Sequence, residues 1–197
     1  MNCIVWGLGI YAAKIIYSLE ANDDSVLYVI TNEKQVDFFC GYKVYDATEL
    51  NLSKVGAKLI VATSEFVYYE IVRQQLVDSG LREFEDFVYA DWINKKIVLL
   101  HGNCHVGVVK EYLLSSACFA KEYAIYNIPQ IQSMKEKIDE NVLKNVDVFV
   151  HQDIQDDNKY GFYLSDTYIL PKMKKDVINI VIPNLFGMGE TVRKLTA

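Results

Sequence analysis

Two short stretches concentrate the residue types that carry out acyl chemistry. His101-Gly102-Asn103-Cys104-His105 follows the apolar run 97–100 and precedes a pattern with Val106, Val109 and Leu113 at helical spacing. A strand, a glycine turn and a helix in that order put Cys104 at the carboxyl end of a strand, where open α/β sheets bind their ligands. They also put it at a helix N-terminus, where thiols ionise more readily. The Asn103 amide and the backbone N–H groups of Cys104 and His105 would then face an oxyanion on an acyl carbonyl.

The second stretch, Val148-Phe149-Val150-His151-Gln152-Asp153-Ile154, sets His151 just past another apolar run. Either His151 or His105 suits a general base toward a thiol or hydroxyl, with Asp153 or Gln152 orienting His151. A histidine that simply closes a loop through hydrogen bonds fits the same pattern. His101 ends a strand and His105 starts a helix, so the two do not share a helical face, and no metal site is expected from them. The other three cysteines, Cys3, Cys40 and Cys118, read as buried and inert.

Two further clusters could hold phosphate. Lys172, Lys174 and Lys175 form the densest basic group in the chain, which reads either as a phosphate contact or as a solvated face. Gly7-Leu8-Gly9-Ile10-Tyr11-Ala12 fits G-x-G-x-x-A between a strand and a helix, a turn that can seat a nucleotide phosphate on the helix N-terminus. Residues 29–32, at the end of the next strand, bring no Asp or Glu to bind a ribose, so Gly7 and Gly9 equally suit a turn that only packs a helix on a sheet.

The elements that must position these groups alternate in type. Strands are expected at 3–6, 26–30, 42–45, 58–62 and 87–89. Helices are expected after Gly7, with Ala12, Ile15, Ile16 and Leu19 inward, and after Thr63 or Ser64, with Tyr68, Val72 and Leu76 inward. The pattern restarts near residue 95 with strands at 97–100, 123–128, 146–150 and 177–182, and with a helix carrying Met134, Ile138 and Val142 on one stripe. Strands alternating with amphipathic helices imply parallel sheets with right-handed crossovers. The expectation is therefore two doubly wound α/β units: a Rossmann-like domain over residues 1–94, and a flavodoxin-like or SGNH-like unit over 95–197 that reads as shortened.

Composition narrows the partners. With 197 residues, 51% hydrophobic and 23% charged, the chain can build real cores. A formal charge of -6 argues against a broad nucleic-acid surface. The longest stretches free of charge are too short to span a membrane, no secretory signal is visible, and four cysteines without C-x-x-C spacing suit a reducing compartment, so the cytoplasm is the expected location. The oligomeric state is left open, a homo-oligomer included.

Gly-Asn-Cys after a strand, the strand-terminal His-Gln-Asp-Ile and the later Ile-Pro-Asn-Leu-Phe-Gly together resemble the WcbI-type polysaccharide-biosynthesis acetyltransferases over residues 96–189. The resemblance implies an enzyme that uses coenzyme A, as acetyl-CoA, to acetylate a hydroxyl of a capsular or related polysaccharide sugar. It implicates Gly102, Asn103, Cys104, Gln152 and Asp153, and also Pro183 and Asn184. The same turn is similar to the nucleophile block of SGNH hydrolases with Cys in place of Ser, which keeps an ester or thioester hydrolase open. A nucleotide or nucleotide-sugar binding module built on Gly7 and Gly9 is the non-catalytic alternative.

Overall fold

The computed structural model describes residues 1–52, 56–156 and 159–183. The chain divides into two compact units, Met1–Ile93 and Asn94–Ala197. Both are α/β, as the alternating pattern requires.

In the first unit, β1 (Asn2–Trp6) leads through Gly7 into α1 (Ile10–Ala21), then β2 (Ser25–Thr31), a short β3 (Phe38–Phe39), β4 (Tyr42–Asp46), β5 (Lys58–Val61), α2 (Phe66–Asp78) and β6 (Phe87–Tyr89). The sheet order is β3-β4-β2-β1-β5-β6, parallel throughout except for the β3–β4 pair. Counting only the parallel strands, this is the 3-2-1-4-5 succession of a doubly wound sheet. Fully buried Cys3, Val5, Val29, Val44 and Ile60 on the strands meet Ala12, Ile16 and Leu19 of α1.

The β3–β4 hairpin escapes the sequence pattern. Its two-residue turn, Cys40 and Gly41, takes positive φ at both positions (49° and 85°), which two-residue hairpins demand and which Asn-Gly usually supplies. Cysteine at the first position hides that signal. Of the expected inward stripe of α2, Val72 and Leu76 are buried, but its first position is Tyr69, while Tyr68 is exposed. Tyr69 is drawn in by an aromatic cluster with Phe66, Tyr89 and Trp92, and its hydroxyl bonds to buried Glu83, which Arg73 Nε also meets at 2.7 Å.

In the second unit, β7 (Lys96–His101) leads into α3 (Cys104–Ser115), followed by α4 (Ala117–Glu122), β8 (Tyr123–Tyr126), α5 (Glu140–Asn145), β9 (Val148–Gln152), α6 (Asp166–Ile169) and β10 (Ile178–Ile182). The order β10-β9-β7-β8 is all parallel. In chain order this is 2-1-3-4, the flavodoxin-type succession as far as four strands go. The expected helix through Met134, Ile138 and Val142 is not formed. A single 3-10 turn (Ile131–Ser133) and the two-turn α5 replace it, because Asp139 caps α5 by accepting from Asn141 N at 2.9 Å and so starts the helix late.

Strand alternation divides this second core. Val98 and Leu100 of β7 and Val148 and Val150 of β9 pack with Val106, Val109 and Leu113 of α3 on one face. Leu99, His101, Phe149 and His151 therefore project to the other face. Of the residues singled out in the sequence, Asn184 and the rest of the Ile-Pro-Asn-Leu-Phe-Gly run past Pro183 lie outside the described residues.

The first glycine turn yields a stability prediction. Gly7 sits at φ +139°, and a Cβ there would lie 2.6 Å from the Ala62 carbonyl oxygen, whereas a Cβ at Gly9 meets nothing within 4 Å. Gly7→Ala should lower unfolding stability by more than about 1 kcal/mol, and Gly9→Ala by much less, in matched urea titrations.

Candidate active site at the β7–β9 switch point

The second sheet reverses its winding between β7 and β9: from β7 the chain moves outward to β8, and from β9 it moves the other way to β10. The loops leaving these adjacent strands diverge, and a crevice opens at their carboxyl ends. Gly102, Asn103, Cys104 and Gln152 meet there.

Their contact is tight. The Asn103 N–H donates to Gln152 Oε1 at 2.8 Å, across the top of both strands. A Cβ on Gly102 would sit 2.6 Å from that same oxygen and 3.0 Å from Val106 Cγ1, so only glycine lets the Gln152 amide reach the turn. Asn103 is then the N-cap of α3, its Oδ1 accepting from His105 N at 3.0 Å. Cys104 is the first residue of the helix, and it is exposed. The Gly102 carbonyl accepts from Ile131 N at 2.9 Å, which fastens the loop after β8 to the turn.

These bonds revise the expected oxyanion cradle. The Asn103 and His105 N–H groups are spent inside the turn, on Gln152 and on the cap. The Cys104 N–H and Asn103 Nδ2 are the donors that those bonds leave for a ligand. Gln152 Nε2 is buried and has no hydrogen-bond partner among the described residues.

His151 is not part of this group. It lies within β9 on the face away from α3, 1% exposed. Its Nε2 meets Asn179 Oδ1 at 2.7 Å, and its Nδ1 lies 2.9 Å from the Gln152 carbonyl and 3.0 Å from Asp166 Oδ1. The carboxylate beside it is therefore Asp166, which carried no sequence signal, and not the exposed Asp153, which accepts from Gln155 Nε2. The Nδ1 contact with Asp166 is an electrostatic approach without hydrogen-bond alignment, since Asp166 Oδ1 remains without a hydrogen bond among the described residues. Burial pushes the Asp166 carboxyl above the usual range, and the neighbouring His151 partly opposes that shift. His105 follows Cys104 directly as the second residue of α3 and is half-buried.

His101 joins the far-face cluster. Its ring, that of Phe149 and that of His151 form a stacked column with centroids 6.2 and 4.3 Å apart. His101 Nε2 lies 2.9 Å from the Leu164 carbonyl, while its Nδ1 is buried with no hydrogen-bond partner among the described residues. Burial holds the ring below the ordinary histidine pKa, so it is neutral at pH 7 with the proton on Nε2.

The other expected residues lie elsewhere. Lys172 is paired with Glu140 at 2.8 Å and Lys174 with Asp147, and Lys175 is exposed. Asp147 also receives the Ile97 N–H through its other oxygen, at the amino-terminal edge of the sheet. The lysines therefore gather at the opposite end of the strands from Cys104, and two of the three are engaged. Gly7 and Gly9 flank the start of α1, where Gly9 is the N-cap without a side-chain cap and Gly7 is accounted for by its approach to Ala62. Of the cysteines read as inert, Cys3 is buried, but Cys40 is half-buried and Cys118 is exposed because α4 shows few inward positions. Among the described residues there is no group of three or more His, Cys, Asp or Glu that could hold a metal ion, and no helix is long and apolar enough to cross a membrane.

Iodoacetamide should modify Cys104 ahead of Cys118, with Cys3 last, as read by mass spectrometry of peptides from briefly treated native protein; Cys118 reacting first would remove Cys104 from the nucleophile role. Because the native pKa of His101 lies below its unfolded value of about 6.5, the folded state binds fewer protons there. Stability should be full above that pH and fall as the pH drops below it. Asp166 acts with the opposite sign, in the more acidic window of the carboxylates. In thermal melts between about pH 7 and pH 5, His101→Gln should flatten the decline, since the amide can still donate to the Leu164 carbonyl and carries no titration.

Residues 97–189 match the family model described as polysaccharide biosynthesis enzyme WcbI, which leaves residues 1–96 outside the match. Among solved structures, the chain is similar to one described as WcbI, a novel polysaccharide biosynthesis enzyme, in the native form without a disulfide bond between COA and a cysteine of that protein. The identity is 16% and the TM-score 0.40, over 45% of this chain and 30% of that one, so the chain spans less than a third of that protein's length. No curated protein matches the chain. The turn at Gly102-Asn103-Cys104 and the strand end at His151-Gln152-Asp153-Ile154 thus lie within a segment, residues 97–189, that matches the WcbI polysaccharide-biosynthesis family.

Proposed function

We propose that the second unit carries the thiol site of a CoA-dependent acetyltransferase that modifies a sugar hydroxyl in capsular or related polysaccharide synthesis. The observation that supports this reading most is the exposed Cys104 at the head of α3, held in the β7–β9 crevice by the Gly102–Asn103–Gln152 contact, inside the segment that matches the family.

The chemistry available to the turn is acyl transfer. In one route the Cys104 thiolate attacks the thioester carbonyl of acetyl-CoA, the Cys104 N–H and Asn103 Nδ2 donate to the oxyanion, and CoA leaves as its thiolate. The sugar hydroxyl then attacks the acetyl-cysteine, passes its proton to His105, and Cys104 leaves as thiolate. In the other route His105 takes the proton from the hydroxyl as that oxygen attacks acetyl-CoA directly, and Cys104 only lines the donor site. The exposure of Cys104 also admits water, which is the observation favouring a thioester hydrolase on the same turn. Free acetate released at the same rate with and without a sugar acceptor would select that reading.

Calorimetry with CoA and acetyl-CoA is the direct test, and absence of binding to both would overturn the proposal. Where turnover is measured, His105→Gln should lower kcat by about 10²–10⁴-fold with little change in donor affinity. Cys104→Ser separates the routes: loss of an acetyl adduct and of turnover marks the covalent path, and retained turnover marks the direct one.

A further inference from the structure

A second cavity opens beside α3, on the β8 side of the same turn. It holds about 260 Å³, with Leu100, Val106 and Ile125 in its wall and Lys110, Asn127 and Gln130 around it. Cys104, Gly107 and Glu111 succeed one another at i, i+3 and i+7 along α3, and Gly107 and Glu111 both line the cavity. The thiol therefore heads the helical stripe that borders this space.

Gly107 needs explaining. Glycine inside a helix is unfavourable relative to alanine. No close approach demands it here, because a Cβ at Gly107 would meet only Gln130 Nε2, at an ordinary 3.8 Å. What a side chain would change is the room between α3 and the loop after β8. That loop is held in place at both ends of the cavity: Lys110 Nζ donates to Asn127 Oδ1 at 2.7 Å, and Ile131 N donates to the Gly102 carbonyl at 2.9 Å. The cavity and the Cys104 turn are thus parts of one bonded frame.

The geometry points to this cavity as the subsite for the sugar ring of the acceptor, kept open by Gly107; the inference rests on the acyl-transfer reading of the Cys104 turn. Its volume lies just below the range of about 300–1,000 Å³ for small-molecule sites, which suits one pyranose ring and excludes a whole nucleotide or CoA. Its surroundings mix both signs of charge with amide donors and acceptors around an apolar wall. That chemistry suits a neutral ligand with many hydroxyls and a hydrocarbon face.

The test uses the full chain, with a panel of methyl glucopyranoside, galactopyranoside, mannopyranoside and N-acetylglucosaminide read by saturation-transfer NMR, and CoA read separately by calorimetry. At least one glycoside should bind the wild type, and Gly107→Leu should weaken it tenfold or more while leaving the CoA affinity unchanged. Gly107→Ala should raise the melting midpoint by about 2–4 °C yet weaken the glycoside, a pairing that a purely structural glycine would not show. Gln130→Trp, which narrows the cavity from the loop side, should repeat the loss without touching the helix. Failure of every glycoside to bind, a signal indifferent to both Gly107→Leu and Gln130→Trp, or loss of CoA in place of the glycoside would overturn the subsite. A glycoside lost on Gly107→Leu in a protein that never binds CoA would keep the subsite and discard the acyl donor.

Discussion

The hydrogen bond from Asn103 N–H to Gln152 Oε1 ties together the two strand ends on which the second unit's site depends. It forms only because Gly102 has no side chain to fill the 2.6 Å gap that a Cβ would leave to the same oxygen. With that bond in place, the backbone turns sharply enough for Asn103 to cap α3, and Cys104 becomes the first helical residue at the rim of the crevice. A larger residue at 102 would move the cap, the thiol and the Gly102 carbonyl that holds Ile131. The bond joins a backbone donor on one strand end to a side chain on the other, so neither stretch reveals it alone.

The second constraint is the two-residue period of β9. His151 and Gln152 are neighbours in sequence, yet the strand sends them to opposite faces. Gln152 reaches the thiol turn, whereas His151 enters a buried column with Phe149 and His101, closed by Asp166 and Asn179. A histidine at a strand end is readily taken for a catalytic base, but here the pleat separates it from the cysteine. Of the two histidines that the sequence offered as bases, only His105 lies on the same element as Cys104.

How much of this was legible follows from range. The strands and the two-unit division could be read because each is a short apolar run bounded by a turn signal, and the parallel arrangement follows from the alternation with helices. The Gly-Asn-Cys turn was legible for the same reason, being local. Four features were not. Asp166 lies fifteen residues from His151 in sequence and reaches it only through the fold. The Cys40-Gly41 hairpin lacks the usual asparagine. The lysines sit next to a strand that the pattern identifies, but at its amino end, with carboxylates from α5 and the start of β9 already beside two of them. The late start of α5 turns on one capping aspartate, which outweighs the apolar periodicity upstream.

The glycine turns of the two units look alike in sequence and differ in physical role. Gly7 and Gly102 each follow the first strand of a sheet and each precede a helix, and in both a Cβ would come within 2.6 Å of an oxygen. At Gly7 that oxygen is the Ala62 carbonyl, a backbone group fixed by the sheet, so the glycine is explained by closure of the turn. At Gly102 it is the side-chain oxygen of Gln152, whose other amide atom, Nε2, stays buried without a partner among the described residues. An apolar residue at 152 would strip the Asn103 N–H of its acceptor, at a cost of about 1–3 kcal/mol for a buried unpaired donor. The glycine in the first unit therefore serves packing. The one in the second unit lets a polar side chain from the end of β9 bond to the turn that follows β7.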